Sequence, residues 1–126
     1  MYNNMKTLYG TNRGFYLDTE LTTELKTPPT LFPDNISLIT WTLYVPTGVK
    51  AKLQASTFAP DKLSVEVTNL DRYWIDFDMN GEPAQDSNGF VTGPVTLQGA
   101  IPIVNGLRMV RETGSSIACE LGIRGQ

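Results

Sequence analysis

Leu38-Ile39-Thr40-Trp41-Thr42-Leu43-Tyr44-Val45, then Pro46-Thr47-Gly48, then Val49-Lys50-Ala51-Lys52-Leu53-Gln54-Ala55-Ser56-Thr57: this stretch decides the fold class. In its first half Ile39, Trp41, Leu43 and Val45 alternate with Leu38, Thr40, Thr42 and Tyr44. In its second half Val49, Ala51, Leu53 and Ala55 alternate with Lys50, Lys52, Gln54 and Ser56, and the lysines mark the second face as wet. A period of two is the signature of a strand with one buried face, and Pro-Thr-Gly between the halves is turn chemistry.

Downstream the same texture continues. Pro60-Asp61 and Asn69-Leu70-Asp71 bracket a short strand carrying Val65 and Val67. Tyr73, Ile75 and Phe77 then alternate with Trp74, Asp76 and Asp78. Residues 79–94 are punctuated by Asn80-Gly81, Pro83, Asn88-Gly89 and Gly93-Pro94, a loop region in which Asn80-Gly81 is the best hairpin signal. Val95 and Leu97 begin a strand, and Ile101-Pro102-Ile103-Val104 suits an edge or a crossing connection because proline cannot donate to a ladder. Asn105-Gly106 reads as a second hairpin turn, and Gly114-Ser115 as a further one. Ile117, Cys119, Leu121 and Ile123 close the chain on one face against Ala118, Glu120, Gly122 and Arg124. Seven or eight short strands at this spacing predict an all-β, antiparallel β-sandwich, Ig-like or jelly-roll-like, over residues 35–126.

Upstream, residues 1–34 read as an extended N-terminal arm. Threonines and Pro28-Pro29 discourage regular structure, and Asp18–Leu25 has the makings of a short helix with Asp18 or Thr19 near its N-cap. Tyr9, Phe15, Tyr16, Leu17, Leu21, Leu25 and Phe32 are costly to leave in water. They are therefore expected to bind a partner, either the chain's own domain or a neighbouring copy.

Composition removes several function classes. The chain has 126 residues, 40% of them hydrophobic and 18% charged, which suits one domain with one core. There is no histidine, so a Ser-His-Asp triad and a histidine metal site are both excluded. One cysteine, Cys119, leaves no internal disulfide and no cysteine-built metal cluster. Net charge is -3, without the basic footprint of a nucleic-acid binder. No apolar run is long enough to span a bilayer, and Met1–Lys6 lacks the apolar core of a signal peptide. Charge is unevenly placed: residues 60–90 set Lys62 and Arg72 against seven acids, while Arg108, Arg111 and Arg124 outweigh Glu112 and Glu120 in residues 91–126. That asymmetry permits head-to-tail contacts between copies.

Two constellations bear on binding. Asp76-Phe77-Asp78-Met79-Asn80-Gly81-Glu82 matches the opening of a calcium loop, with oxygen ligands at alternate positions and glycine at the sixth. The twelfth position is Ser87 and the preceding segment reads as strand, so an EF-hand is excluded. A looser calcium site would draw on Asp76, Asp78, Asn80, Glu82 and Asp86; the plainer reading, a hairpin with an acidic rim, carries more weight. Tyr44 and Trp74, on nominally polar faces, form the other candidate, an aromatic platform for a sugar or a protein. No set of catalytic groups emerges, and no cofactor is expected.

Gly93-Pro94-Val95-Thr96-Leu97, Ile101 to Val110 and Ser116 to Gly125 resemble the closing strands of small β-sandwich proteins from tailed-phage particles, and Val45–Val49 is similar to their loops. The resemblance runs over residues 36–126 and is one of texture. It implies a non-enzymatic structural subunit of a virion, of capsid-decoration, neck or tail-accessory type. Such a subunit is made in the host cytoplasm and binds itself and other virion proteins. The alternative on the same scaffold is a carbohydrate- or ligand-binding module.

Overall fold

A computed structural model describes residues 6–7, 15–27, 30–32, 38–58, 71–102, 104–113 and 116–125. Among them are ten strands: β1 Lys6–Thr7, β2 Phe15–Leu21, β3 Thr30–Leu31, β4 Leu38–Val45, β5 Lys50–Ser56, β6 Ile75–Asp76, β7 Val91–Thr92, β8 Val95–Pro102, β9 Gly106–Arg111 and β10 Cys119–Gly125. A 3-10 turn, Asp71–Tyr73, precedes β6. The first sheet runs β1-β2-β10-β4-β8; the second runs β3-β9-β5-β6, with β7 also on β5. Among the described strands every pairing is antiparallel. The fold is thus the expected all-β sandwich. The strand number exceeds seven or eight because four of the ten are two-residue pieces at sheet margins.

The alternation read from the sequence becomes the core. Ile39, Trp41, Leu43 and Val45 of β4 meet Ala51, Leu53 and Ala55 of β5, with Leu107 and Met109 of β9 and Cys119, Leu121 and Ile123 of β10. Burying these side chains is the main favourable term in folding, about 25 cal/mol per Å² of apolar area. Trp41 sits opposite Gly99 of β8. A Cβ at Gly99 would lie 2.6 Å from the indole, so this pair needs a residue without a side chain. The Phe77 ring meets Trp41 edge-on at 6.1 Å.

Connections cross between the sheets. β4 passes to β5 through Pro46–Val49, closed by Val49 N–H donating to the Pro46 carbonyl at 3.2 Å, with Gly48 at φ 75°. β8 passes to β9 at Asn105, whose backbone N–H donates to Ser56 O and whose side-chain amide donates to Thr57 O and Phe58 O. Asn105-Gly106 is therefore a corner between sheets and not a hairpin. Turn chemistry fixes local dihedrals but does not specify which sheet receives the next strand.

The N-terminal boundary also differs from expectation. Phe15–Leu21 is a strand inserted between β1 and β10, in register with β10 from Cys119↔Leu21 to Gly125↔Phe15. The helix expected over Asp18–Leu25 is absent; strand ends at Leu21 and bends follow through Leu25. Farther on, Thr27 N–H donates to Met109 O while the Thr27 hydroxyl accepts from Met109 N–H, and Thr30 and Leu31 pair with Leu107 and Gly106. Phe32 is buried in the core. So the described part of residues 1–34 belongs to both sheets and is not a separate arm. β-branched threonines suit a half-buried strand once a partner strand is available. Tyr9 and the Val65–Val67 strand lie outside the described residues.

Candidate interaction surfaces

β5 carries an interrupted edge. β6 pairs with it at Gln54↔Asp76 and Ala55↔Ile75, β7 at Lys50↔Thr92 and Ala51↔Val91. Between them residues 77–90 leave the sheet and return. This is why Asn80-Gly81 does not make a hairpin: the strands on either side both pair with β5, not with each other. Phe77 and Met79 turn inward onto the core. The rest is fastened by polar side chains. Gln85 accepts from Met79 N–H at 2.7 Å and donates to Phe77 O and Gly89 O. One Asp86 oxygen accepts from Asn88 and Phe90 N–H. Lys52, on β5 beneath the gap, donates to Asp76 at 3.0 Å and to Asn88 O at 2.8 Å, with its ammonium 4.5 Å from the Phe90 ring centre. Compact loops held by their own side chains are often functional.

The calcium candidates come only partly together. Asp76, Asp78 and Asp86 line one open depression of about 430 Å³; Asn80 and Glu82 do not. The carboxylates are also engaged. Asp76 binds Lys52 and Gln54, Asp78 accepts from Asn80 N–H at 2.8 Å, and Asp86 holds the loop backbone. Among the described residues no three His, Cys, Asp or Glu side chains gather to hold an ion. The Phe90 N–H, and after it the Asn88 N–H and the Lys50 charge, hold the Asp86 carboxyl below its ordinary value against some desolvation.

The outer face of the second sheet is drier than its lysines suggest. Gln54, Ser56 and Arg108 are buried there. Arg108 Nε donates to the Gln54 oxygen at 2.8 Å, and Gln54 Nε2 donates to Asp76 at 2.8 Å. The guanidinium lies 4.8 Å from the Trp74 ring centre. Beside this chain of contacts is a groove of about 280 Å³ lined by Lys26, Lys52, Trp74, Asp76 and Phe90 over Gln54 and Val110. Arg108, one of the basic charges that outweigh the acids in residues 91–126, is thus withdrawn from the surface. The signal for its burial is indirect: Trp74 and Gln54 share its face, an aromatic cover and a neutral partner. A guanidinium that stacks on an aromatic ring and hydrogen-bonds in its plane is the cation best suited to such burial.

The proposed platform does not form. Trp74 is only 5% exposed and packs on the second sheet, whereas Tyr44 is exposed on the outer face of the first. Trp74 is buried because it covers Arg108. Of the other candidates, Leu25 is exposed, and the backbones of Phe15, Tyr16, Leu17 and Leu21 lie in β2.

Large apolar side chains are exposed at both ends of the sandwich. At one end, Arg111 ties two of them together: its N–H donates to Leu25 O at 2.9 Å and its guanidinium to Ile117 O at 3.2 Å. Tyr44 lies at this end, opposite Glu120. At the other end are Leu38, opposite Pro102; Phe58, whose carbonyl Asn105 holds; and Ile75, opposite Ala55. Ile75 is 69% exposed and Ile117 55%. Cys119, by contrast, is fully buried, and desolvation pushes its thiol up, partly opposed by Arg111. Among the described residues no helix is long and apolar enough to cross a bilayer. No family model, curated protein or solved structure matches the chain.

Proposed function

We propose that this chain is a non-enzymatic assembly subunit that binds copies of itself and other structural proteins. The observation that carries the reading is the pair of apolar ends, Leu25, Tyr44 and Ile117 at one and Leu38, Phe58 and Ile75 at the other. Large apolar side chains left exposed toward the ends of a sandwich are candidate contact surfaces. A histidine-free composition and a buried Cys119 support a role that needs no nucleophile or general base. The likeness of residues 36–126 to tailed-phage particle proteins makes a virion the proposed setting, as a capsid, neck or tail subunit. Sedimentation velocity over a concentration series tests the reading. The wild type is expected to form a discrete oligomer that Ile117→Asp and Ile75→Asp weaken. An oligomer indifferent to both substitutions would refute the use of the ends.

A second reading has its own support. The groove between Lys26 and Lys52, edged by Trp74 and Phe90, has the mixed aromatic and polar lining of a saccharide site. Glycan-array binding that Lys52→Met abolishes would favour it.

A further inference from the structure

The first sheet has two outer strands, and they are defended differently. β1 covers β2 at Phe15 and Tyr16, and beyond that cover β2 carries exposed Asp18 and Glu20. In the second sheet, β3 is only two residues long, and the β6/β7 edge is broken by residues 77–90. Short strands, charges and interruptions are the usual protections of a sheet edge.

β8 has none of them. It pairs with β4 along its whole length, from Leu38↔Pro102 to Val45↔Val95. Among the described residues no strand or backbone hydrogen bond meets its other side. Its sequence, Val95-Thr96-Leu97-Gln98-Gly99-Ala100-Ile101-Pro102, contains no charge, and no charged residue occurs between Asp86 and Arg108. Only the terminal Pro102 lacks a donor.

We infer that the β8 edge is the site at which a second copy of this chain adds antiparallel, β8 to β8, joining two first sheets into one. This rests on the assembly reading above and names its interface. Self-pairing suits β8 because no like charges would meet; β2 paired with its own copy would set Asp18 and Glu20 against their counterparts. The register is constrained too. Thr96, Gln98 and Ala100 are exposed on one face and Leu97 is buried on the other, so outward residues must pair with outward residues. A dyad at Gln98 does this, with Thr96 opposite Ala100 and Val95 opposite Ile101 of the second copy. A dyad at Gly99 has the same parity but brings Pro102 into the ladder, where it cannot donate. A dyad at Leu97 shortens the paired length. The dyad at Gln98 is the best of the three.

The test combines a disruption and a cross-link. Wild-type protein should sediment at twice its 13.9 kDa chain mass. Thr96→Lys/Gln98→Lys, at exposed positions, should raise the dimer dissociation constant at least about tenfold while circular dichroism and thermal unfolding stay unchanged. Gln98→Cys should form an intermolecular disulfide on mild oxidation, because facing residues in an antiparallel pair lie about 4.5–5.5 Å apart at Cα, within disulfide reach. Asp18→Cys, on the acid-guarded edge, should not cross-link. A wild-type monomer at the highest attainable concentration, a dimer indifferent to the lysines, or cross-linking at Asp18→Cys in place of Gln98→Cys each overturns the interface. An oligomer weakened by Ile117→Asp or Ile75→Asp but not by the lysines refutes β8 pairing and leaves the assembly reading standing. The reverse pattern refutes the use of the ends and leaves β8 pairing standing.

Discussion

Lys52→Met isolates what fastens residues 77–90 to the sheet. Methionine keeps the length and apolar stem of lysine but removes the ammonium and its three contacts: Asp76 at 3.0 Å, Asn88 O at 2.8 Å and the Phe90 ring at 4.5 Å. The ion pair is only partly shielded, with side-chain exposures of 12% for Lys52 and 40% for Asp76, so it contributes no more than about 0.5–1 kcal/mol. The hydrogen bond to Asn88 O adds about 1 kcal/mol. The cation–π contact adds about 0.5–1 kcal/mol, part of which a methionine sulfur near Phe90 restores. These contacts share one group and do not add fully, so a net loss of about 1–2 kcal/mol is expected. It should appear locally. Native-state hydrogen exchange at the Asn88 and Phe90 amides, both donors to Asp86, should accelerate by about tenfold, since 1.4 kcal/mol is a factor of ten. Lys50→Met is the control: its ion pair with Asp86 spans 3.7 Å with both side chains more than a third exposed, and its effect should stay below about 0.5 kcal/mol. Equal effects of the two substitutions, or faster exchange spread evenly over β4 and β10, would refute the reasoning.

Other expectations follow from the same contacts. Because the Asp86 carboxyl is held below its ordinary value in the folded chain, the stability it contributes is present above the usual carboxylate range and is lost as pH falls through the depressed value; the protection of the Asn88 and Phe90 amides, taken relative to their intrinsic exchange at each pH, should fall on acidification, and Asp86→Asn should flatten that dependence. Leu53→Ala, at a fully buried position, should cost about 2–5 kcal/mol in urea unfolding with the slope unchanged. Gly93→Ala would press a methyl into the carbonyl oxygens of Val45 and Pro46, which as backbone cannot turn aside, and should destabilise more than Gly48→Ala, which meets no neighbour and carries only the strain of a positive φ. Cys119 should react with a thiol reagent only as fast as the sandwich opens, and faster modification would contradict its burial and raised thiol pKa.

Ile39 to Val45 and Cys119 to Ile123 were legible because each strand buries one face, and burial of that kind writes itself into alternate residues. Phe15–Leu21 was not. Its partner, β10, lies at the far end of the chain, and no local pattern records so distant a pairing. Proline and threonine there describe what the backbone avoids, not what it pairs with. Asn80-Gly81 and Asn105-Gly106 mark bends, yet one lies within residues 77–90 and the other turns a corner between sheets. Trp74 was legible as an aromatic on a polar face, but not as the lid of a buried arginine, because the Gln54–Arg108 pairing beneath it is again a matter of tertiary register.

The broken edge on β5 makes the sandwich tolerant of length at one place. Residues 76 and 91 are each anchored to the same strand, so the chain between them begins and ends at fixed points whatever its size. Lengthening such an excursion is inexpensive in entropy, about 0.6 kcal/mol for each doubling. Phe77, Met79 and Gln85 must stay, since they seat the segment, but Glu82-Pro83-Ala84 is exposed. A foreign peptide grafted between Glu82 and Ala84 would be displayed from the flank of the sandwich, with both sheets keeping their register.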